Sequence, residues 1–140
     1  MKLGMRGEDI KTLYPAYEVK EVDLLLEGMP APAIEVLQDN AVVFVAELRD
    51  NGIVYRISTR DKRFKTPKAI GVGSTFGEAR SKYGSPEFSS EGEGGFYSAF
   101  NIEGGYISFS LNTQGKYPIV SPEDSMKIDS VLVVKLDAVN

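Results

Sequence analysis

The chain contains no cysteine, no histidine and no tryptophan. Without cysteine there are no disulfides, no thiolate metal sites and no thiol nucleophile. Without histidine, catalytic triads built on imidazole are excluded, and zinc, iron and copper lose their commonest ligand. No run of about 18 apolar residues occurs, so no segment reads as a membrane-spanning helix. The opening Met1-Lys2-Leu3-Gly4 lacks the apolar core of a signal peptide. No loop carries the regularly spaced acidic residues that calcium needs. Catalytic residues, metal ligands and cofactors are therefore all expected to be none.

What is present is 140 residues, 42% hydrophobic, with 14 glycines. That is enough for one ordinary domain, here spanning 1–140, with a real core and many turns. The landmark is Ile70 to Phe88. Thr75 and Glu78 stand in capping-box spacing, Phe76, Ala79 and Tyr83 share a helical face, and Gly84 and Pro86 stop the helix. A helix over 75–83 follows. The spacing Gly71, Gly73, Gly77 is one residue too long for a dinucleotide fingerprint, and the plain reading is a strand-to-helix turn.

A weaker copy lies 69 residues earlier. Leu3-Gly4 matches Val72-Gly73, Asp9-Ile10-Lys11-Thr12 matches Glu78-Ala79-Arg80-Ser81 by class, and Tyr14 meets Tyr83. A helix over 7–14 is expected, then strands. Tyr17 to Leu26 reads as one strand with a bulge near Lys20-Glu21, Gly28 to Pro32 as a loop, and Ile34–Leu37 as paired with Ala41–Leu48. Asp50-Asn51-Gly52 suits a type I′ turn into strand 53–59. In the second half, Ser89 to Gly95 reads as a flexible loop. Phe96–Ile102 and Ile107–Leu111 form a hairpin, Asn112–Lys127 is irregular, and Ile128–Leu136 closes the chain as the counterpart of strand 53–59. The expected fold is α+β in two pseudo-repeats, 3–59 and 72–137, joined by a basic linker 60–71. Each repeat is a short helix packed on an antiparallel β-meander.

Between Arg56 and Lys68, six cationic side chains face only Asp61. Arg60, Lys62, Arg63, Lys65 and Lys68 are candidates for an anion-binding strip, against the reading of a solvated linker. The acidic chain as a whole, at net −4, disfavours nucleic acid. Tyr97 and Tyr106 fall by alternation on the non-core face of the second hairpin. There they read either as an aromatic interaction surface or as a second buried face. Glu91 and Glu93 sit in a glycine-rich stretch with nothing to fix their separation. Ser74 lacks the Gly-x-Ser-x-Gly frame.

The two helix motifs, Leu3 to Pro15 and Val72 to Pro86, resemble a pattern in bacterial envelope proteins. There a Gly-Met or Gly-Ser turn opens a short helix that Pro or Gly-x-Pro closes. Outer-membrane assembly lipoproteins of the BamE type carry one such unit, and the beta-lactamase inhibitor protein family carries two in tandem. Arg63 to Thr75 is also similar to a family of periplasmic or lipid-anchored bacterial proteins without assigned function. The lipobox cysteine and the paired cysteines of those families are missing here, so neither specific activity carries over. The resemblance implies a non-enzymatic protein in the periplasm or anchored at the outer membrane, with any leader outside this numbering and the cytoplasm as the other compartment. Its partner would be another protein or an anionic envelope component. A small-molecule or anionic-ligand binder using 60–68 comes second, and a hydrolase third.

Overall fold

The structure is a computed structural model that describes residues 1–26, 28–92, 95–115 and 121–135. It is α+β and dominated by antiparallel sheet, with eight strands and two short α-helices among the described residues. The chain divides into two units. One is Met1–Thr59 with the chain from Val133 onward; the other is Arg60–Leu132.

The first unit begins with a 3-10 turn, Gly7–Asp9, that runs into α1 (Ile10–Leu13). The expected helix 7–14 is thus half 3-10, and neither segment has a side-chain cap bond. An uncapped one-turn helix has little stability of its own. It is held by Ile10, fully buried, and by Tyr14, whose ring lies 5.7 Å from Phe44. Backbone bonds tie its entry to the end of the meander. Gly4 N donates to Val54 O (2.7 Å), Val54 N to Met5 O (2.9 Å) and Gly7 N to Gly52 O (2.8 Å). Gly7 lies so close to Leu48 and Ile34 that a Cβ there would stand 2.9–3.0 Å from their methyls.

The meander that follows is β1 (Glu18–Leu26), β2 (Met29–Gln38), β3 (Ala41–Leu48) and β4 (Val54–Thr59), in that spatial order. Three expectations are corrected here. β1 pairs with β2 in unbroken register from Glu18 to Leu26, and the register shift falls at Val36/Leu37 instead. The broken alternation of β1 arises because Val19 lies on the face of α1 while Val22 and Leu24 lie on the other. Second, Met29–Pro32 is strand and not loop. β3 reaches β2 only from Ala33 onward, so Pro30 and Pro32 occupy a stretch paired on one side, where a missing N–H does no harm. Third, the type I′ turn is Asp39-Asn40, both at positive φ (52° and 64°), between Gln38 and Ala41. At 49–53 only Gly52 has positive φ, and Gly52 N bonds Arg49 O. This is a longer turn ending in a left-handed glycine. A second register shift at Glu47/Leu48 puts Val54 on the helix face and leaves Tyr55 unpaired, so Tyr55 does not share a face with Ile57.

The second unit is built around α2 (Phe76–Tyr83). Its capping box is complete. Thr75 Oγ1 accepts from Glu78 N and Glu78 Oε1 accepts from Thr75 N, each at 3.2 Å. Gly84 ends it at φ +84°, ψ −156°, a region open essentially to glycine alone. Phe76 and Ala79 are buried, and the Tyr83 ring lies about 6 Å from Phe100 and Phe109 (5.9 and 6.0 Å). Phe100 and Phe109 are fully buried, each contributing about 1.5–3 kcal/mol of apolar burial. Strands β5 (Phe88–Gly92), β6 (Gly95–Ile102), β7 (Gly105–Leu111) and β8 (from Ile128) lie in the order β8-β7-β6-β5. Ser89 to Gly92 is therefore edge strand rather than loop, fixed by a Ser89–Ser98 hydroxyl pair at 2.8 Å. Glu93 and Gly94, the centre of the irregular segment (116–120) and Leu136 lie outside the described residues. The entry to α2 is again tied to the last strand. Gly73 N donates to Ile128 O (2.9 Å), Ile128 N to Ser74 O (2.8 Å) and Phe76 N to Met126 O (2.8 Å).

Candidate functional site

The turn before α2 has the makings of an anion cradle in sequence but not in space. Gly71 N bonds Ser74 Oγ, Ser74 N bonds Gly71 O, and Gly73, Phe76 and Gly77 donate to Ile128, Met126 and Asp124 carbonyls. With Glu78 N on the Thr75 cap, these amides are already used. Ser74 is buried as a turn residue. In the open groove beside the helix, about 600 Å³, Glu78 serves the cap and Asp124 accepts from Arg80 Nη2 at both carboxylate oxygens (2.7 and 2.8 Å).

The basic strip is mostly spent on internal partners. Arg63 grips Asp61 through Nε (3.0 Å), Nη2 (2.7 Å) and its backbone N–H (2.9 Å), which holds the Asp61 carboxyl down at about 2. Lys65 Nζ donates to Val72 O (3.1 Å). Lys68 Nζ reaches Lys82 O (3.0 Å) in the last turn of α2 and lies 4.9 Å from the Tyr83 ring centroid. A cation there answers the negative end of the helix dipole. Arg60 and Lys62 are exposed and make no hydrogen bond or ion pair among the described residues. The strip is two available cations rather than five.

The tyrosines stand on the face of β5–β7 that points away from α2. Register decides this, since Phe96, Ser98 and Phe100 alternate with Tyr97, Ala99 and Asn101, and Phe100 is the residue against Tyr83. Three rungs build the outer face: Ser90–Tyr97–Ser110, Phe88–Ala99–Ser108 and Asn101–Tyr106. Tyr97 and Tyr106 share it but are not side by side. They stand two rungs apart on neighbouring strands, roughly 13 Å along the strand direction. Between them Ala99, Ser108 and Ser110 are buried, while both tyrosines are half-buried and Phe88 is 55% exposed. Small side chains at the centre and aromatic ones at the margins make a shallow trough. None of these side chains is itself charged, and at the margin Asn101 Nδ2 donates to the exposed Glu87 carboxylate (3.0 Å).

No protein-family model and no curated protein matches the chain. Among solved structures it is similar to the uncharacterized protein yfeY from Escherichia coli. The identity is 17%, the TM-score 0.67, and the match covers 96% of this chain and 91% of that one. The likeness establishes the fold alone.

One polar feature was not singled out in the sequence. Glu47 on β3 is buried, 3.3 Å from Arg56 Nε on β4, its register partner. The ions are close, yet the Nε–H is not aimed at the carboxylate, and Glu47 Oε1 has no hydrogen bond. Burial raises the Glu47 carboxyl above the ordinary glutamate value, and the Arg56 charge offsets this only in part. The charge of Glu47 was plain in the sequence. Its burial depends on cross-strand register, which was not.

Proposed function

We propose that the chain is a non-enzymatic protein-binding module of the bacterial envelope, periplasmic or anchored at the outer membrane, that presents the outer face of β5–β7 to another protein. The observation that carries this is the composition of that face: Tyr97, Tyr106 and Phe88 around Ala99, Ser108, Ser110 and Asn101, with no charge among them. Tyrosine offers a large, rigid, amphipathic contact at low entropic cost, while serine and asparagine supply adaptable hydrogen bonds. The envelope setting rests on the resemblance of the paired helix motifs. Affinity capture from envelope extract with the wild-type chain is expected to yield a stoichiometric partner that Tyr97→Ala/Tyr106→Ala loses while its melting temperature stays unchanged. Capture equal in both would reject the face.

Two matched sets of bonds support reading the chain as one pattern written twice. Gly4, Met5 and Gly7 bond Val54 and Gly52 as Gly73, Ser74 and Phe76 bond Ile128 and Met126. The bridges Arg6↔Ile53 and Thr75↔Lys127 correspond in the same way. Gly4 and Gly73 both have positive φ (85° and 93°), and the rings of Tyr14 and Tyr83 both pack, tilted, against a phenylalanine of the adjacent meander. On this reading each unit spends one strand face on its helix and keeps the other for contact.

A second reading, an anionic small molecule or envelope component, is favoured only by Arg60 and Lys62. Arg60→Ala/Lys62→Ala would abolish its binding, whereas Lys65→Ala would act through the turn at Val72.

A further inference from the structure

We propose that the outer edge of β1 is a docking site for an extended peptide of alternating apolar and cationic residues, which adds to the first unit as a further antiparallel strand. β1 stands at the end of the strand order in that unit and pairs with β2 at each of its nine residues without a shift. Alternate backbone groups of such a strand point away from its neighbour. Among the described residues, backbone bonds beyond the ladders stop at Tyr17 N→Tyr14 O, and none involves residues 18–26. Of the devices that close an edge, β1 lacks proline, a bulge and short length; charged side chains are the one it has, and a strand of opposite charge would neutralise them.

Charge selects the partner. Glu18, Lys20, Glu21 and Asp23 are all exposed. Lys20 lies 3.5 Å from Glu18, its neighbour on one face. Glu21 and Asp23 share the other face, opposite Ile34 and Pro32, and have no cation of their own among the described residues. Two carboxylates spaced by two residues on one face match a strand carrying two cations at the same spacing. Leu25, next on that face and 77% exposed, calls for an apolar residue, as does Val22 across the pleat. Main-chain bonds would supply affinity, and the charge pairs the register. A second copy fits badly in the register centred on Val22. Antiparallel β1 pairing centred on Val22 sets Glu21 directly against the Asp23 of the copy, like against like.

The test uses the full chain and a fluorescein-labelled heptapeptide, Val-Val-Val-Lys-Val-Lys-Val, whose two lysines face Asp23 and Glu21 and whose second valine faces Leu25. Fluorescence anisotropy reads binding, and amide hydrogen exchange locates it. The expected result is saturable binding that slows exchange within 18–26. Binding should be lost when alternate peptide amides on one edge are N-methylated. Glu21→Lys/Asp23→Lys is expected to weaken it by about tenfold and to confer binding of the valine–glutamate peptide. Three results would each overturn the proposal: equal binding of a peptide with its lysines blocked at one end, equal binding after N-methylation, or slowed exchange elsewhere than β1. N-methylation is read on the wild-type chain, so the outcome does not depend on the charge-reversal variant folding.

Discussion

Two residues sit where backbone or burial makes an unusual demand, and each gives a measurable consequence. Gly84 closes α2 at φ +84°, ψ −156°, and a Cβ there would meet open space, so the cost of substitution is backbone conformation alone. Gly84→Val should lower stability by about 1–3 kcal/mol in urea unfolding. An unchanged midpoint would mean that the helix ends elsewhere. Glu47 holds its proton more tightly in the folded state than in the unfolded chain. Its contribution to stability is therefore full below the ordinary glutamate value of 4.5 and is lost as pH rises through the higher folded value. Glu47→Gln cannot ionise, and Arg56, with its side chain 37% exposed, can turn to water. The variant should flatten the fall of stability above pH 4.5 and be at least as stable as wild type at pH 7. A variant clearly less stable at pH 7 would show that the Arg56 pair outweighs desolvation.

At the scale of elements, what was legible in the sequence is what neighbouring residues decide among themselves. Thr75, Glu78, Phe76, Ala79 and Gly84 specify α2 within ten positions, and the alternation of Phe96 to Leu111 specifies a hairpin. Thr75→Ala removes the cap acceptor and should cost about 1 kcal/mol, with helical circular dichroism reduced in proportion. A cost near zero would mean that the Met126 and Asp124 carbonyls alone hold the first turn. What neighbouring residues leave open is decided by a distant partner. Pro30 and Pro32 are strand because β3 is too short to reach them. Asp39-Asn40, not Asn51-Gly52, makes the two-residue turn because register closes there. Lys65 and Lys68 looked free until the fold brought Val72 and Lys82 carbonyls to them. Alternation puts Tyr97 and Tyr106 on one face of the hairpin, but their spacing along it is set by the pairing of β6 with β7.

For the molecule as a whole, the sheet-dominated α+β fold is shared with a protein of 17% identity, so it tolerates very different sequences. Each unit has a strand face that its helix leaves uncovered. One is an uncharged tyrosine–serine trough on β5–β7, and it is the centre of the functional proposal. The direct measurement is in-cell photo-crosslinking with a benzophenone amino acid placed in turn at the exposed positions Phe88, Ser90 and Asn101 on that face and at exposed Ser81 on α2. One protein adduct of the same mass is expected from all three face positions and none from Ser81, with the adducts lost in a Tyr106→Ala background. Adducts from Ser81 alone, or no adduct from the face, would contradict the assignment.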